Sequence, residues 1–236
     1  ADQDTQSCQS NCLLPDLQVA VIQKGGWFAA IKGGNNHENH NHNDVGSVIV
    51  YADGNPVFID PGSCTYTNRT FTRERYNFWP MCSDFHNCAT FNGVTQKAGR
   101  EAYSGEMVLD KEKDTMSLDL VNAYSADANL SSYTRTVQLA NSAITITDDV
   151  AFNAPGMVMF SYMTKDKPEL VNETTFAVAG KTVTFDGSLT YDVSTVDTSE
   201  PETASVPGNW NAENLYRITL TTKAPTQAGK FILTVL

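Results

Sequence analysis

The histidines of this sequence are clustered. Three of the four lie close together, as His37, His40 and His42, and the fourth is His86. Neutral imidazole and carboxylate groups bind zinc well, and three protein ligands leave a fourth position for water. Together with Asp60, which ends an apolar stretch, His42 and His86 therefore form a candidate set of metal ligands.

The same residues also fit roles that involve no metal. A histidine cluster can be a solvated polar loop or an expression tag, although tags lie at termini and this cluster is internal. Asp60 precedes Pro61-Gly62, a context typical of a turn former or cap. His86 alone also fits a structural polar residue. The spacing by itself is moderately specific for a metal site.

Two predicted hairpins must position these residues. Apolar β-type stretches flank a Lys-Gly-Gly turn, and a second pair flanks an Asp-Gly-Asn turn. The four predicted strands are residues 17–22, 27–31, 47–52 and 56–60.

This hairpin arrangement imposes a condition on the metal site. If Asp53-Gly54-Asn55 is a tight turn, Asp60 lies opposite about Val48, and His42 lies about six residues further along. At the rise of an extended strand that separation is roughly 20 Å. Residues 37–44 must therefore curl back as a loop, which the asparagines and Gly33-Gly34 permit.

The rest of the chain predicts an all-β fold. Short strands recur after residue 100, separated by turn residues and without amphipathic helices, which is typical of a large antiparallel β-sandwich of two packed sheets. We expect residues 1–16 to be a strandless tail or linker, residues 17–236 to be the sandwich domain, and residues 195–212 to be a loop. The later predicted strands are residues 116–121, 134–139, 143–147, 176–178, 182–185, 215–220 and 230–235.

Composition excludes several classes of protein. The chain has 236 residues, 41% of them hydrophobic, and a net charge of −11, so it is globular and not a nucleic-acid-binding module. No apolar run is long enough for a membrane span. Residues 62–100 are nonetheless locally basic and irregular, which suggests a site for an anionic ligand. Arg69, Arg73 and Arg75 are its candidate sulfate- or carboxylate-binding residues, although solvated surface arginines are the plainer interpretation of each.

The five cysteines include no CxxC motif, which argues against zinc-finger and thioredoxin-like proteins. A disulfide between Cys82 and Cys88 is left open by the sequence.

Four elements of the sequence occur in the order of a known family. They are His40-Asn-His42-Asn-Asp44 before an apolar strand, Phe58-Ile-Asp60-Pro-Gly62, His86-Asn87, and Phe91-Asn-Gly-Val-Thr-Gln96. Together they resemble the C-terminal domain of the heparinase II/III-like polysaccharide lyases, which include heparinases and certain alginate and oligoalginate lyases. The resemblance implies an antiparallel β-sandwich that follows a large α-helical toroid, a domain that these residues do not include.

The same resemblance implies roles for individual residues. Zinc, in a structural role, is held by His42, Asp60 and His86, and His40 lies in the catalytic cleft. The implied reaction is β-elimination on an anionic, uronic-acid-containing polysaccharide, in a periplasmic or secreted enzyme. An acid/base tyrosine and a group that neutralises the substrate carboxylate come from the helical half. Tyr66 and Tyr76 are weaker local candidates for proton transfer.

Two further functions remain alternatives. One is a non-catalytic carbohydrate-binding module that uses Trp27, Trp79 and Trp210 as sugar platforms, although core packing is the plainer interpretation of at least two of them. The other is a structural or adhesive β-domain whose histidines merely bind metal.

Overall fold

The computed structural model describes residues 11–236. Within that range the chain forms β-strands joined by turns, loops and short 3-10 helices, and the described residues contain no α-helix. The strands are β1 (Cys12–Leu14), β2 (Val19–Lys24), β3 (Trp27–Lys32), β4 (Asn35–Asn36), β5 (Val48–Ala52), β6 (Asn55–Phe58), β7 (Ala89–Phe91), β8 (Gly99–Tyr103), β9 (Met107–Asp110), β10 (Thr115–Asp119), β11 (Leu130–Ala140), β12 (Ala143–Gly156), β13 (Val158–Thr164), β14 (Glu169–Asn172), β15 (Thr175–Val178), β16 (Lys181–Phe185), β17 (Leu189–Thr195), β18 (Tyr216–Thr222) and β19 (Thr226–Val235). The 3-10 helices are Pro15–Leu17, Asn68–Phe71, Arg73–Asn77, Trp79–Met81, Ser83–Phe85, Val121–Ala123, Ala126–Ala128 and Val206–Trp210.

The strands pack as an antiparallel sandwich, which confirms the predicted fold class. One layer is a single eight-stranded sheet in the order β14-β15-β16-β19-β12-β11-β10-β9. The other layer is divided into a five-stranded sheet, β1-β2-β3-β5-β6, and a four-stranded sheet, β17-β18-β13-β7. These two meet where β6 runs beside β13, and the Ile59 amide donates to the Met163 carbonyl there at 2.9 Å. β4 and β8 form a separate two-stranded sheet.

Alternating side chains build the main core between the layers. In β3 every second residue is buried, and the inward residues of β11 and β12 are mostly apolar. Ile22, Ile31 and Val50 are fully buried in one continuous cluster that draws on both layers. Burying each such side chain contributes about 1.5–3 kcal/mol. The period-2 pattern of the sequence is therefore what fixes the faces of these strands.

Both predicted hairpins form. β2 pairs with β3 across Gly25 and Gly26, and β5 pairs with β6 across Asp53 and Gly54. These four turn residues have positive φ, the conformation that two-residue hairpin turns require.

A second, smaller core lies under the irregular segment. Four consecutive 3-10 helices between residues 68 and 85 pack over it, and the chain from 196 to 215 covers it from another side. Its buried members are Ile59, Cys64, Phe78, Met81, Met163, Val196, Val206 and Leu215. The predicted loop at 195–212 is therefore partly a packed segment that contains a 3-10 helix.

Some expectations need correction. The segment predicted to be strandless contains β1, which pairs with β2, while residues 1–10 lie outside the described range. The division at residue 16 stays a prediction. Cys82 and Cys88 are not bridged, and the Cys82 thiol donates to the Tyr76 carbonyl at 3.1 Å. Within residues 11–236 no helix has the length and apolar character to cross a bilayer.

Candidate metal centre and adjoining surface

Three separate loops bring the candidate ligands together. His42 lies between β4 and β5, Asp60 follows β6, and His86 follows the 3-10 helix Ser83–Phe85. One ligand atom from each of the three lies within 4.8 Å of the others. We call these three residues the metal cluster. The structure therefore brings together the residues that the sequence analysis selects as metal ligands.

The loop that carries His42 does curl back. Its two ends are joined near Lys32, which donates its amide to the Ser47 carbonyl and accepts from the Gly46 amide. His40 has a φ of 58°, in the left-handed region, and this turns the chain within the loop. The Lys32 ammonium also pairs with the Asp44 carboxylate at 2.5 Å. Because the loop closes on itself, His42 does not lie roughly 20 Å from Asp60, as it would at the end of an extended strand.

Asp60 is held by a turn and by a distant loop. Its Oδ1 accepts the Gly62 amide at 2.8 Å, as a turn-forming aspartate does. Gly62 has a φ of 78°, and a Cβ there would stand 3.0 Å from Asn209 Nδ2, so this turn requires glycine. Trp210 Nε1 donates to the Asp60 carbonyl at 2.9 Å. Asp60 is therefore both a turn residue and a member of the metal cluster.

The hydrogen bonds of His86 leave a place for a cation. His86 is fully buried, with Nε2 at 2.9 Å from the Pro80 carbonyl and Nδ1 at 2.9 Å from Asp60 Oδ2. A carbonyl only accepts, so Nε2 carries a proton. The lone pair of Nδ1 then faces a carboxylate, and a proton or a metal ion must lie between them. A bound ligand histidine whose other nitrogen donates to a carbonyl is the usual support for a metal site.

Electrostatics favour the protonation states that a metal needs at His42 and Asp60, whereas the Asp60 carboxylate outweighs burial and raises the pKa of His86, so a metal would have to displace a proton from His86 Nδ1. Burial and the neighbouring His86 lower the pKa of His42 to about 3, so its imidazole is neutral with a free lone pair at neutral pH. Burial alone would raise the pKa of Asp60, but the charge and hydrogen bond of His86 outweigh it and hold that pKa below its usual range. The Asp60 side chain keeps 35% of its surface exposed, so the cluster is open on that side.

A row of exposed rings adjoins the metal cluster. The Tyr66 hydroxyl lies 3.4 Å from His40 Nδ1, and the two ring centroids are 5.9 Å apart. Tyr66 also contacts Phe71, with centroids 5.6 Å apart and Phe71 72% exposed. We call His40, Tyr66 and Phe71 the outer patch. Two of the predicted catalytic residues, His40 and Tyr66, thus meet at the surface.

The third predicted catalytic residue is not part of that patch. Tyr76 is half-buried against the second core, and the Arg75 guanidinium lies 5.6 Å from its ring. Arg75 Nη2 donates to the Asn41 carbonyl at 2.6 Å, so it holds the backbone between His40 and His42. That contact is structural and leaves the predicted roles of Tyr76 and Arg75 in chemistry as predictions.

The other two candidate arginines differ in what can be said of them. Arg69 lies within 3.5 Å of three carboxylates, those of Glu74, Glu200 and Glu202. Its charge is therefore balanced by the protein itself. The side chain of Arg73 lies outside the described part of the structure, and its substrate-binding role stays a prediction.

The three tryptophans pack into the protein. Trp27 is buried, with the Lys181 ammonium 4.8 Å from its ring. Trp79 is half-buried against Phe85, and Trp210 is half-buried with its indole N–H donated to Asp60. None of the three is an exposed platform, so the carbohydrate-binding alternative loses the residues on which it was based.

Sequence reasoning missed a buried charged pair behind the site. Arg135 and Asp148 are direct cross-strand partners on β11 and β12, both buried. The signal was present: Arg135 shares the alternating face of Tyr133 and Val137, both of which are buried. A charged residue on an inward face needs a partner, and an inward aspartate on a neighbouring strand supplies it. The support of Asp60 by Trp210 had no comparable signal, since it joins distant loops.

Comparison with known proteins assigns the chain to a family. The family model for the heparinase II/III-like C-terminal domain matches residues 12–231. The chain belongs to this family of heparinase II/III-like C-terminal domains. No curated protein matches the sequence.

Solved structures share the fold at low sequence identity. A heparinase III superimposes with a TM-score of 0.70 at 16% identity, covering 96% of this chain and 35% of the heparinase. A second heparinase III structure gives 0.69 at 17% identity, with 96% and 36% covered. A heparan sulfate lyase from Pedobacter heparinus gives 0.67 at 13% identity, with the same coverage. The chain thus spans about a third of the length of these enzymes.

Proposed function

We propose that this chain is the β-sandwich domain of a lyase that cleaves a uronic-acid-containing anionic polysaccharide by β-elimination. The observation that carries the proposal is the juxtaposition of the metal cluster with the outer patch, in a chain that belongs to this family. The proposal includes the division into residues 1–16 and 17–236, an α-toroid domain as the partner, and a periplasmic or secreted location.

We assign zinc to the metal cluster, in a structural role. Two imidazoles and a carboxylate are a donor set that zinc prefers, and His86 Nδ1 facing Asp60 Oδ2 fits a shared cation. When bound, zinc would hold three loops together and so fix the position of the loop that carries His40 and His42. The exposed side next to Asp60 would leave a fourth position for water.

The chemistry of elimination defines what the protein groups must do. The C5 proton of a uronic acid lies next to a carboxylate, so that carboxylate must be neutralised before the proton can leave. A base then removes the C5 proton, the C4–O4 bond breaks as the C4=C5 double bond forms, and an acid protonates the departing O4. His40 contributes to neutralisation from this domain, with Tyr66 as the nearest hydroxyl for proton transfer. The helical domain supplies the remaining acid/base tyrosine, and the locally basic segment of residues 62–100, with Arg69, Arg73 and Arg75, attracts the anionic polymer.

The experiment has two parts. Elemental analysis of the purified chain, never exposed to chelator, is expected to give about one zinc per chain. Elimination creates a C4=C5 double bond that absorbs in the ultraviolet. On uronic-acid polymers we expect little absorbance growth from this chain alone, and growth from a protein that joins it to the helical domain. Metal-free protein contradicts the zinc assignment, and rapid growth with this chain alone contradicts the assignment of the catalytic groups.

A further inference from the structure

A fully buried ion pair lies directly behind the metal cluster. Arg135 is 0% exposed, and its Nε and Nη2 donate to the two carboxylate oxygens of Asp148 at 2.7 and 3.1 Å. The Tyr133 hydroxyl donates to the same carboxylate at 2.8 Å. The pair is therefore neutralised and hydrogen-bonded on the side of the eight-stranded sheet.

The third nitrogen of the guanidinium, Nη1, donates hydrogen bonds to the other layer. Arg135 Nη1 donates to the Gly46 carbonyl at 2.9 Å and to the Asn87 carbonyl at 2.5 Å. Gly46 lies in the loop that carries His42, and Asn87 directly follows His86. One nitrogen thus joins two of the three segments that carry candidate ligands.

The Asn87 side chain joins the third segment. Its Nδ2 donates to the Ile59 carbonyl at 2.9 Å and to the Val48 carbonyl at 2.7 Å, and its Oδ1 accepts the Met163 amide at 2.7 Å. Ile59 directly precedes Asp60. All three ligand-bearing segments therefore converge on Asn87 and Arg135, and each contact is to backbone rather than to a mobile side chain.

The residue type matters at this position. A buried ion pair is not in general a source of stability, because desolvation of the charges offsets their attraction. A guanidinium, however, offers five donors in a fixed plane, so it can hold a carboxylate with one edge and carbonyls with the other. A lysine ammonium keeps the charge but cannot make both sets of contacts in that geometry.

We propose that Arg135 is a positioning residue for the metal centre, acting through Gly46 and Asn87 to hold the three ligand-bearing segments at their mutual spacing. The proposal rests on the metal site proposed above. It predicts that weakening Arg135 lowers metal affinity more than an equal loss of stability elsewhere does.

The test compares Arg135→Lys with a matched core variant. Val183 lies on β16, is fully buried in the wild type and pairs with Phe176 and Val235, on strands that carry none of the candidate ligands, so Val183→Ala lowers stability away from the site. For each protein, zinc affinity is measured by competition with a chelator, together with thermal melting without metal and the visible spectrum of the Co²⁺-substituted form. We expect Arg135→Lys to weaken zinc binding by about 10- to 100-fold and to alter the Co²⁺ spectrum. Val183→Ala should melt lower with wild-type affinity and spectrum.

Two results distinguish failure of the metal site from failure of the positioning role. If the wild-type chain binds no zinc, the metal site itself is wrong and the role of Arg135 falls with it. If the wild type binds zinc and Arg135→Lys binds it equally tightly with an unchanged spectrum, only the positioning role is wrong. Should Arg135→Lys fail to fold, the double variant Arg135→Gln with Asp148→Asn, which removes both charges, is judged by the same two readouts.

Discussion

The metal cluster and the outer patch each take one histidine from the same loop, yet they are built in opposite ways. His42 is half-buried and faces the buried His86, whereas His40, two positions earlier, is exposed and contacts the ring of Tyr66. The positive φ of His40 turns the chain between them. The loop therefore separates two jobs: one histidine contacts protein groups that can hold a metal, and the other faces solvent, where a substrate can reach it.

The support of the two regions differs in kind. The metal cluster is held by hydrogen bonds that involve the backbone groups of Asp60, Gly62 and Pro80, while the outer patch is held by ring contacts and one long hydrogen bond of 3.4 Å. Substitutions in the metal cluster should therefore change metal content and stability together. Substitutions in the outer patch should change turnover and leave the fold intact.

The largest expected effect is that of His42→Ala. Loss of a ligand releases the metal, and a metal present at 1,000 times its dissociation constant stabilises the folded state by about 4 kcal/mol. We expect the variant to lose zinc by elemental analysis and to melt at a lower temperature. His37→Ala, on the same loop and exposed, is the matched control and should keep both properties.

A chelator sharpens this first prediction. Treatment of the wild type should lower its melting temperature toward that of His42→Ala, because both lack the ion, and should leave the variant unchanged. A variant that retains one zinc per chain would show that His42 is not a ligand.

The second effect is that of His40→Ala, which should lower turnover by about 10²-fold or more. That is the typical loss for a positioned proton-transfer or charge-stabilising group. Metal content and melting temperature should stay at wild-type values, since His40 is exposed. The rate is measured by ultraviolet absorbance in a protein that also contains the helical domain.

Two outcomes would erase the contrast between the two histidines. If His40→Ala also loses the metal, His40 and His42 chelate it together and the ligand assignment is wrong. If His40→Ala is fully active, His40 is only part of a polar loop.

A third, smaller effect is expected for Tyr66→Phe. The change removes the hydroxyl near His40 Nδ1 and keeps the ring contact with Phe71. A hydrogen bond of this kind contributes about 1 kcal/mol, which corresponds to about fivefold in rate. Zinc content should not change. A loss as large as that of His40→Ala would instead make Tyr66 a proton donor or acceptor in the reaction.

Sequence patterns predicted the regular parts of the structure well. Alternation and the two turn signals gave both hairpins, because period-2 burial and two-residue turns are local properties. Strand geometry also predicted that residues 37–44 curl back as a loop, and the hydrogen bonds of Lys32 to Gly46 and Ser47 close that loop. The family resemblance supplied the set of His42, Asp60 and His86, which local patterns alone left open.

What the sequence did not reveal depends on distant contacts. The run of 3-10 helices between residues 68 and 85 has no periodicity of its own and is held by the second core. The division of one layer into two sheets arises where β6 meets β13, far apart in the chain. The burial of Arg135, in contrast, could have been predicted from the sequence, because the alternation of β11 places it on the inward face.

The smallest effect is expected for Arg69→Gln, which tests whether the charge of the Arg69 guanidinium contributes to substrate binding. The guanidinium is 49% exposed and surrounded by the carboxylates of Glu74, Glu200 and Glu202. Exposed ion pairs of this kind contribute about 0–1 kcal/mol, so the free energy of unfolding should fall by less than about 1 kcal/mol, measured by denaturant titration.

To bind a substrate anion, the Arg69 guanidinium must first leave the carboxylates that already balance its charge. We therefore expect KM for the anionic polysaccharide to rise by less than about tenfold, with zinc content unchanged, and Arg69→Lys to restore the wild-type value. A rise in KM well above tenfold, with the melting temperature unchanged, would show that the outer surface binds substrate through Arg69 despite its neighbours.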